Sequence, residues 1–213
     1  MREEGGTGSR RRLTKDERRA RILDAAAEVF ASRGYEGTSI DEVAEAAGIS
    51  KPVIYDHFDS KKDLHIALID KQTEDMLSFW SERVSSEQSL DRQLAAGFDA
   101  FLEFVETHEY AWRLLFRDPT AADADILKAQ ARIQHRATAA IAAVGQANVD
   151  ESVPKPEVEV VAQMVKTAAN GVAAWWYEHR DIPRSTLVDI MVSFAWLGLE
   201  RLTAGDRWRR EEN

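Results

Sequence analysis

Cysteine is absent from this chain of 213 residues, which removes disulfides, thiol nucleophiles and thiolate metal sites and favours the cytoplasm. Long apolar runs are missing too. The longest, around Ile190–Leu199, is about half of the ~20 residues a membrane helix needs, so no membrane partner is expected. The N-terminus is rich in Arg, Glu and Gly and carries no apolar opening of signal-peptide type. The five histidines (His57, His65, His108, His135, His179) are scattered without a ligand spacing such as i, i+4. Neither a Gly-rich phosphate loop nor a nucleophile elbow is present. An enzyme is therefore not expected, nor a metal or cofactor. Sustained alternation of period two is lacking as well, which leaves no strands for a sheet.

A net positive charge, the usual mark of a nucleic-acid binder, is also missing: the total is -9. Its distribution matters more. Residues 1–62 carry 12 Lys/Arg against 12 Asp/Glu, so the later residues supply the whole excess. Within Arg10–Arg21 seven basic residues face only Asp16 and Glu17. This run reads either as a solvated tail or as a positive arm that confines attraction for a polyanion to one end of an acidic protein.

What the chain does have is helical punctuation. Residues 1–12 are a disordered basic arm in this reading. Thr14 is an N-cap candidate, Ile22, Ala26, Val29 and Phe30 recur at helical spacing, and Gly34 ends the helix. Ser39 caps a short helix with Ile40, Val43, Ala44 and Ala47 on one face; Gly48 stops it. Ser50 caps a third, very short helix opening with Lys51-Pro52, and Asp59-Ser60 breaks and recaps before a long helix to about Val84. Further helices are expected over about 89–107, 110–117, 119–145, 157–179 and 185–204. The fold class is thus all-α, with about nine helices: a three-helix helix-turn-helix domain over 13–60 and a larger helical domain over 61–213.

In the first domain, Ile54 and Phe58 lie four apart and face the core, which turns Lys51, Val53, Tyr55 and His57 outward. Such a helix start suits a major groove: Lys51 and the Tyr55 hydroxyl reach phosphates or base edges, and Val53 meets a thymine methyl. The string from Gly48 through Ile49-Ser50-Lys51-Pro52-Val53-Ile54-Tyr55-Asp56-His57-Phe58 to Leu64, with Arg21–Ala26, Phe30, Gly34-Tyr35 and Thr38-Ser39-Ile40 before it, closely resembles the signature of the TetR family of bacterial regulators. The resemblance covers about residues 13–65. It implies a sequence-specific, double-stranded DNA-binding repressor that meets a palindromic operator as a homodimer. By position it implies phosphate contacts from Thr38, Ser39, Tyr55, His57 and Lys61, and groove contacts from Lys51, Pro52 and Val53. Arg11 and Arg12 of the arm join this set through their charge. The family often has Gly, Ala or Ser-Thr pairs where this chain has Pro52-Val53, which bears on the operator sequence and not on DNA binding.

The larger domain suggests two further partners. The last two helices are apolar nearly all round, and Gly171 and Gly198 are costly inside helices unless backbones approach closely. A two-fold dimer through Gly171, Trp175, Phe194 and Gly198 is expected, built as a four-helix bundle. Trp80, Phe101, Phe104, Trp112 and Phe116 supply aromatic surface, and Gln163, Thr167 and Asn170 form a polar stripe at helical spacing. Together they read as a pocket for a small apolar or amphipathic effector, or as a plain core whose stripe meets water or the dimer mate.

Overall fold

The computed structural model describes residues 13–84, 88–117 and 123–203. The arm expected over 1–12, with Arg11 and Arg12, lies outside them. The described residues fall into two compact units that meet in sequence between Leu68 and Ile69.

The first unit starts with α1 (Lys15–Gly37). Thr14 and Glu17 close its first turn reciprocally: the Glu17 amide donates to the Thr14 hydroxyl oxygen at 3.2 Å, and the Thr14 amide donates to the Glu17 carboxylate at 2.7 Å. Ile22, Leu23, Ala25, Ala26 and Phe30 form its buried face. At Gly34 the backbone leaves the helix with φ 70° and ψ 175°, and one more turn follows before Thr38. The helix thus breaks at the expected glycine, but the chain keeps turning for three residues.

α2 (Ile40–Ala47) buries Ile40, Val43, Ala44 and Ala47 against α1. Gly48 ends it in the left-handed region, φ 64°, where a Cβ would also come within 2.9 Å of the Arg21 guanidinium. α3 (Lys51–Tyr55) is five residues long and buries Ile54; Phe58 just beyond it is 5% exposed. The Ser60 hydroxyl then accepts the Asp63 amide at 3.1 Å and opens α4 (Lys61–Ser81), the helix that passes from the first unit into the second.

The second unit holds the rest of α4, then α5 (Leu90–Thr107), α6 (Glu109–Trp112), a π turn over Arg113–Arg117, α7 (Ala124–Asn148), α8 (Lys155–Trp176) and α9 (Arg184–Thr203). Asp123 caps α7 by accepting the amides of Asp125 and Ile126. Pro156 sits in the first turn of α8, where a missing amide costs nothing. α7 packs on α8, and α5 packs on α8 and α9. Trp112 and Trp176, each 1% exposed, anchor this core; the Trp176 indole donates to the Ile182 carbonyl at 2.8 Å. Among the described residues there is no strand, and no helix is long and apolar enough to cross a membrane.

Candidate nucleic-acid interface and internal cavity

On the first unit, Lys51, Pro52 and Tyr55 stand exposed along α3, with Val53 half-buried at their edge. Lys51 Nζ pairs with the Asp41 carboxylate of α2 at 2.9 Å, which raises the lysine pKa through that hydrogen bond and charge. His57 is half-buried, and burial lowers its pKa; the nearby charges of Lys15, Arg18 and Arg19 push the same way. Three cations of α1 are therefore close to the end of α3. Lys61 lies over the Tyr35 ring, 4.5 Å from its centroid, with Nζ 3.3 Å from the Glu36 carbonyl oxygen.

Two expected contacts change. Thr38 is 4% exposed and its hydroxyl donates to the Gly34 carbonyl at 2.8 Å, so its side chain ties the α1–α2 turn from inside and is not presented to a phosphate. The broken helix end at Gly34 creates that acceptor, which spacing alone does not reveal. Ser39 is exposed, but its hydroxyl is engaged with Glu42, accepting the amide at 3.3 Å and donating to the carboxylate at 3.0 Å. Ser50 is the reverse case. It stands at the α3 N-cap position, exposed, and its hydroxyl makes no cap bond. That leaves a polar group beside Lys51 which the capping pattern disguised.

The second unit holds a partly open cavity of about 750 Å³ lined by α4, α5, the π turn, α7, α8 and Leu199 of α9. Trp80, Phe101, Phe104, Phe116 and Asn170 line it, with Phe101 and Phe116 edge to face at 6.0 Å. Trp80 is held by its indole N–H, which donates to the Gly97 carbonyl at 3.2 Å. A Cβ on Gly97 would meet the same indole nitrogen at 3.2 Å, so only glycine lets the ring lie this close.

Three expected lining residues are elsewhere. Trp112 packs beside Tyr177, ring centroids 5.9 Å apart, and does not reach the cavity. Gln163 and Thr167 are exposed; Gln163 Oε1 accepts the Thr138 hydroxyl at 2.7 Å across the α7–α8 surface. The cavity face of α8 runs through Val158, Ala162, Lys166 and Ala169, and the polar stripe is turned roughly 60–100° round the helix from Lys166. Asn170 lies at its near edge and stays with the wall.

Lys166 itself is not legible in the sequence as part of a cavity, because a lysine in a helix normally reads as solvated. It is 6% exposed, and burial lowers its pKa. The available signal is its place on one face with Ala162, Ala169 and Ala173, all buried.

Along α8 and α9 apolar side chains are exposed: Val160 and Met164, which also line the cavity, and Trp175, then Ile190, Phe194 and Leu197, with Phe194 80% exposed. Gly171 and Gly198 lie on the same two helices, and a Cβ at either would meet nothing within 4 Å in this chain. So many exposed large apolar side chains on two helices mark them as a candidate contact face.

Comparison with known proteins agrees with both units. The family model for bacterial regulatory proteins of the tetR family matches residues 22–68, and that for the tetracyclin repressor-like C-terminal domain matches residues 90–198. The HTH-type transcriptional activator FasR of Mycolicibacterium smegmatis is 30% identical over 199 residues, 93% of this chain and 90% of that one. A TetR-like regulator from Rhodococcus sp. RHA1 superposes with a TM-score of 0.69 at 28% identity, covering 89% of this chain and 99% of that one. FadR of Bacillus subtilis, solved in complex with stearoyl-CoA, shares the fold at a TM-score of 0.69 and 16% identity, over 83% and 96% of the two chains. The chain belongs to the TetR family and is a DNA-binding transcriptional regulator, not an enzyme.

Proposed function

We propose that the protein binds a palindromic operator as a homodimer and that a small apolar or amphipathic effector, seated in the cavity of the second unit, releases it. The observation that carries this reading is the course of α4. It opens with Lys61, over Tyr35 in the first unit, and supplies Trp80 to the cavity wall. A ligand pressing on Trp80 acts on the helix that begins among the proposed DNA contacts.

In this reading residues 13–60 are the DNA-binding module and 61–213 bind the ligand and the second subunit. Lys51, Pro52 and Val53 enter the major groove, with Ser50 beside them, while Ser39, Tyr55, His57 and Lys61 meet phosphates. The exposed faces of α8 and α9 pair with their copies in a four-helix bundle, which places the two heads on half-sites ~34 Å apart. The effector has to favour the DNA-incompetent form by ~1–3 kcal/mol, the usual size of such coupling. A wall dominated by aliphatic and aromatic side chains suits an extended acyl chain, and the stearoyl-CoA held by FadR supports that chemistry. Repression lifted by the effector is the outcome proposed, although the relative FasR is named an activator.

The test is selection of genomic fragments by the purified protein, followed by anisotropy titration of the best fragment with and without palmitoyl-CoA and palmitate. A palindrome bound at nanomolar strength and released by one of them is expected. Weak binding without sequence preference, or tight binding that no compound alters, overturns the reading.

A further inference from the structure

The cavity wall contains a cation with no counter-ion among the described residues. Lys166 is only 6% exposed, yet it lines the cavity together with Ala137, Ala162, Val165 and Ala169. Its Nζ makes one hydrogen bond, 3.1 Å to the Gln134 carbonyl oxygen of α7. The Thr138 hydroxyl approaches that same oxygen at 2.9 Å. No carboxylate lies within 4.0 Å of Nζ among the described residues. An ammonium has three donors, so two are without a protein partner there.

Of the other polar groups of the wall, Asn170 donates to the Lys166 carbonyl at 3.1 Å, and its buried Oδ1 has no hydrogen-bond partner among the described residues. Gln93 donates to the Gln88 carbonyl and accepts from Asn148. Trp80 is bound to Gly97. Glu157 also lines the cavity, but it stands nine residues before Lys166 in α8, ~13 Å along the axis, too far to neutralise it. A charge taken out of water is expensive unless something pairs with it, and a lysine serving only to tie α8 to α7 could do so from the surface.

We infer that Lys166 anchors a carboxylate: the effector is a long apolar chain ending in a carboxylate, its head against Lys166 Nζ and its tail among the aromatic side chains of α4 and α5. This rests on the reading of the cavity as the effector site. The tail region has the required character, since Trp80, Phe98, Phe101 and Phe104 present ring surface. Burial lowers the pKa of Lys166, and an incoming carboxylate reverses that by favouring the ammonium.

Palmitate and hexadecanol share a chain and differ in the head, so their affinities for the full-length protein, measured by calorimetry, test the assignment. The native protein is expected to hold palmitate at least tenfold tighter than hexadecanol. Lys166→Met abolishes that preference and holds hexadecanol at least as tightly as before; Lys166→Arg restores most of it. If Lys166→Met does not fold, Lys166→Gln, which keeps a donor but not the charge, is expected to lose the preference in the same way. Equal palmitate affinity with and without the lysine charge overturns the inference. So does binding of palmitoyl-CoA but not palmitate, an outcome that leaves the cavity as the effector site. If none of the three compounds binds or raises the melting temperature of the native protein, the cavity reading fails and this inference with it.

Discussion

The ammonium of Lys51, first residue of α3, lies 2.9 Å from the carboxylate of Asp41 on α2. Both side chains are largely exposed, so the pair contributes little to stability. In the proposed complex its consequence is for binding: Lys51 has to leave a carboxylate to meet a phosphate or base. Asp41→Asn is expected to tighten DNA binding about threefold to tenfold at low salt, and to do nothing in a Lys51→Ala background. Anisotropy on one operator fragment, for both singles and the double, checks this. Equal gains with and without Lys51 would mean that Asp41 acts through its charge alone.

Val53 and the groups proposed to meet phosphates differ in kind. Tyr55→Phe or Lys61→Ala is expected to weaken binding similarly on every operator variant, with the salt slope for Lys61→Ala shallower by ~1. Val53→Ala is expected to change the ranking of variants by about 1 kcal/mol at the thymine it contacts, near the low end for a base contact. Uniform losses for Val53→Ala on all variants would remove it from the groove.

His65 is expected to make the fold sensitive to acid. The ring is 1% exposed, 4.9 Å from the Phe30 ring and 4.6 Å from that of Tyr35, and burial holds its pKa down at about 4. With a folded value below the ordinary 6.5, the unfolded chain binds the proton first. The neutral ring's stability is thus fully present above pH 6.5 and declines as pH falls toward 4, by on the order of 3 kcal/mol. Urea unfolding between pH 7.5 and 4.5 should show this loss, and His65→Phe should flatten its share. An unchanged slope in His65→Phe would assign the acid sensitivity elsewhere.

Phe194 is 80% exposed in the single chain. If α8 and α9 are the dimer face, Phe194→Asp should weaken dimerisation by roughly 30-fold or more while leaving far-UV circular dichroism intact. Sedimentation at micromolar concentration is expected to give a dimer for the native protein and a monomer fraction for the variant. A native protein that sediments as one chain sinks the dimer.

Much of the first unit is legible residue by residue, because its signals are local. Gly34 and Gly48 take positive φ where the sequence places breaks, Ser39 and Ser60 cap where expected, and the Ile54/Phe58 pair faces inward. These depend on backbone conformations set within four residues. The departures are as short-range, but residue type alone does not reveal them. Thr38 turns inward because a carbonyl freed at Gly34 accepts its hydroxyl, and Ser50 leaves its cap bond unmade.

In the second unit, aromatic content points to a cavity, but its wall depends on helix rotation. Gln163, Thr167 and Asn170 form one stripe in sequence; the packing of α8 on α7 sends the first two to solvent and keeps only Asn170. Trp112 goes to the core for the same reason: an aromatic ring fits either place, and neighbouring helices choose.

By itself, the sequence determined an all-helical chain, where most of its helices begin and end, which face of α3 is exposed, and that it belongs with the TetR regulators. Periodicity, caps and positive-φ glycines are short-range, and the residues are adjacent in the chain. Tertiary structure alone decided that Lys51 meets Asp41 ten residues away, that Gly97 yields to the Trp80 indole, and that Lys166 lies in an apolar wall with no counter-ion among the described residues. Each is a juxtaposition of groups far apart in sequence, and its energy depends on desolvation and distance, quantities that exist only once the helices are packed.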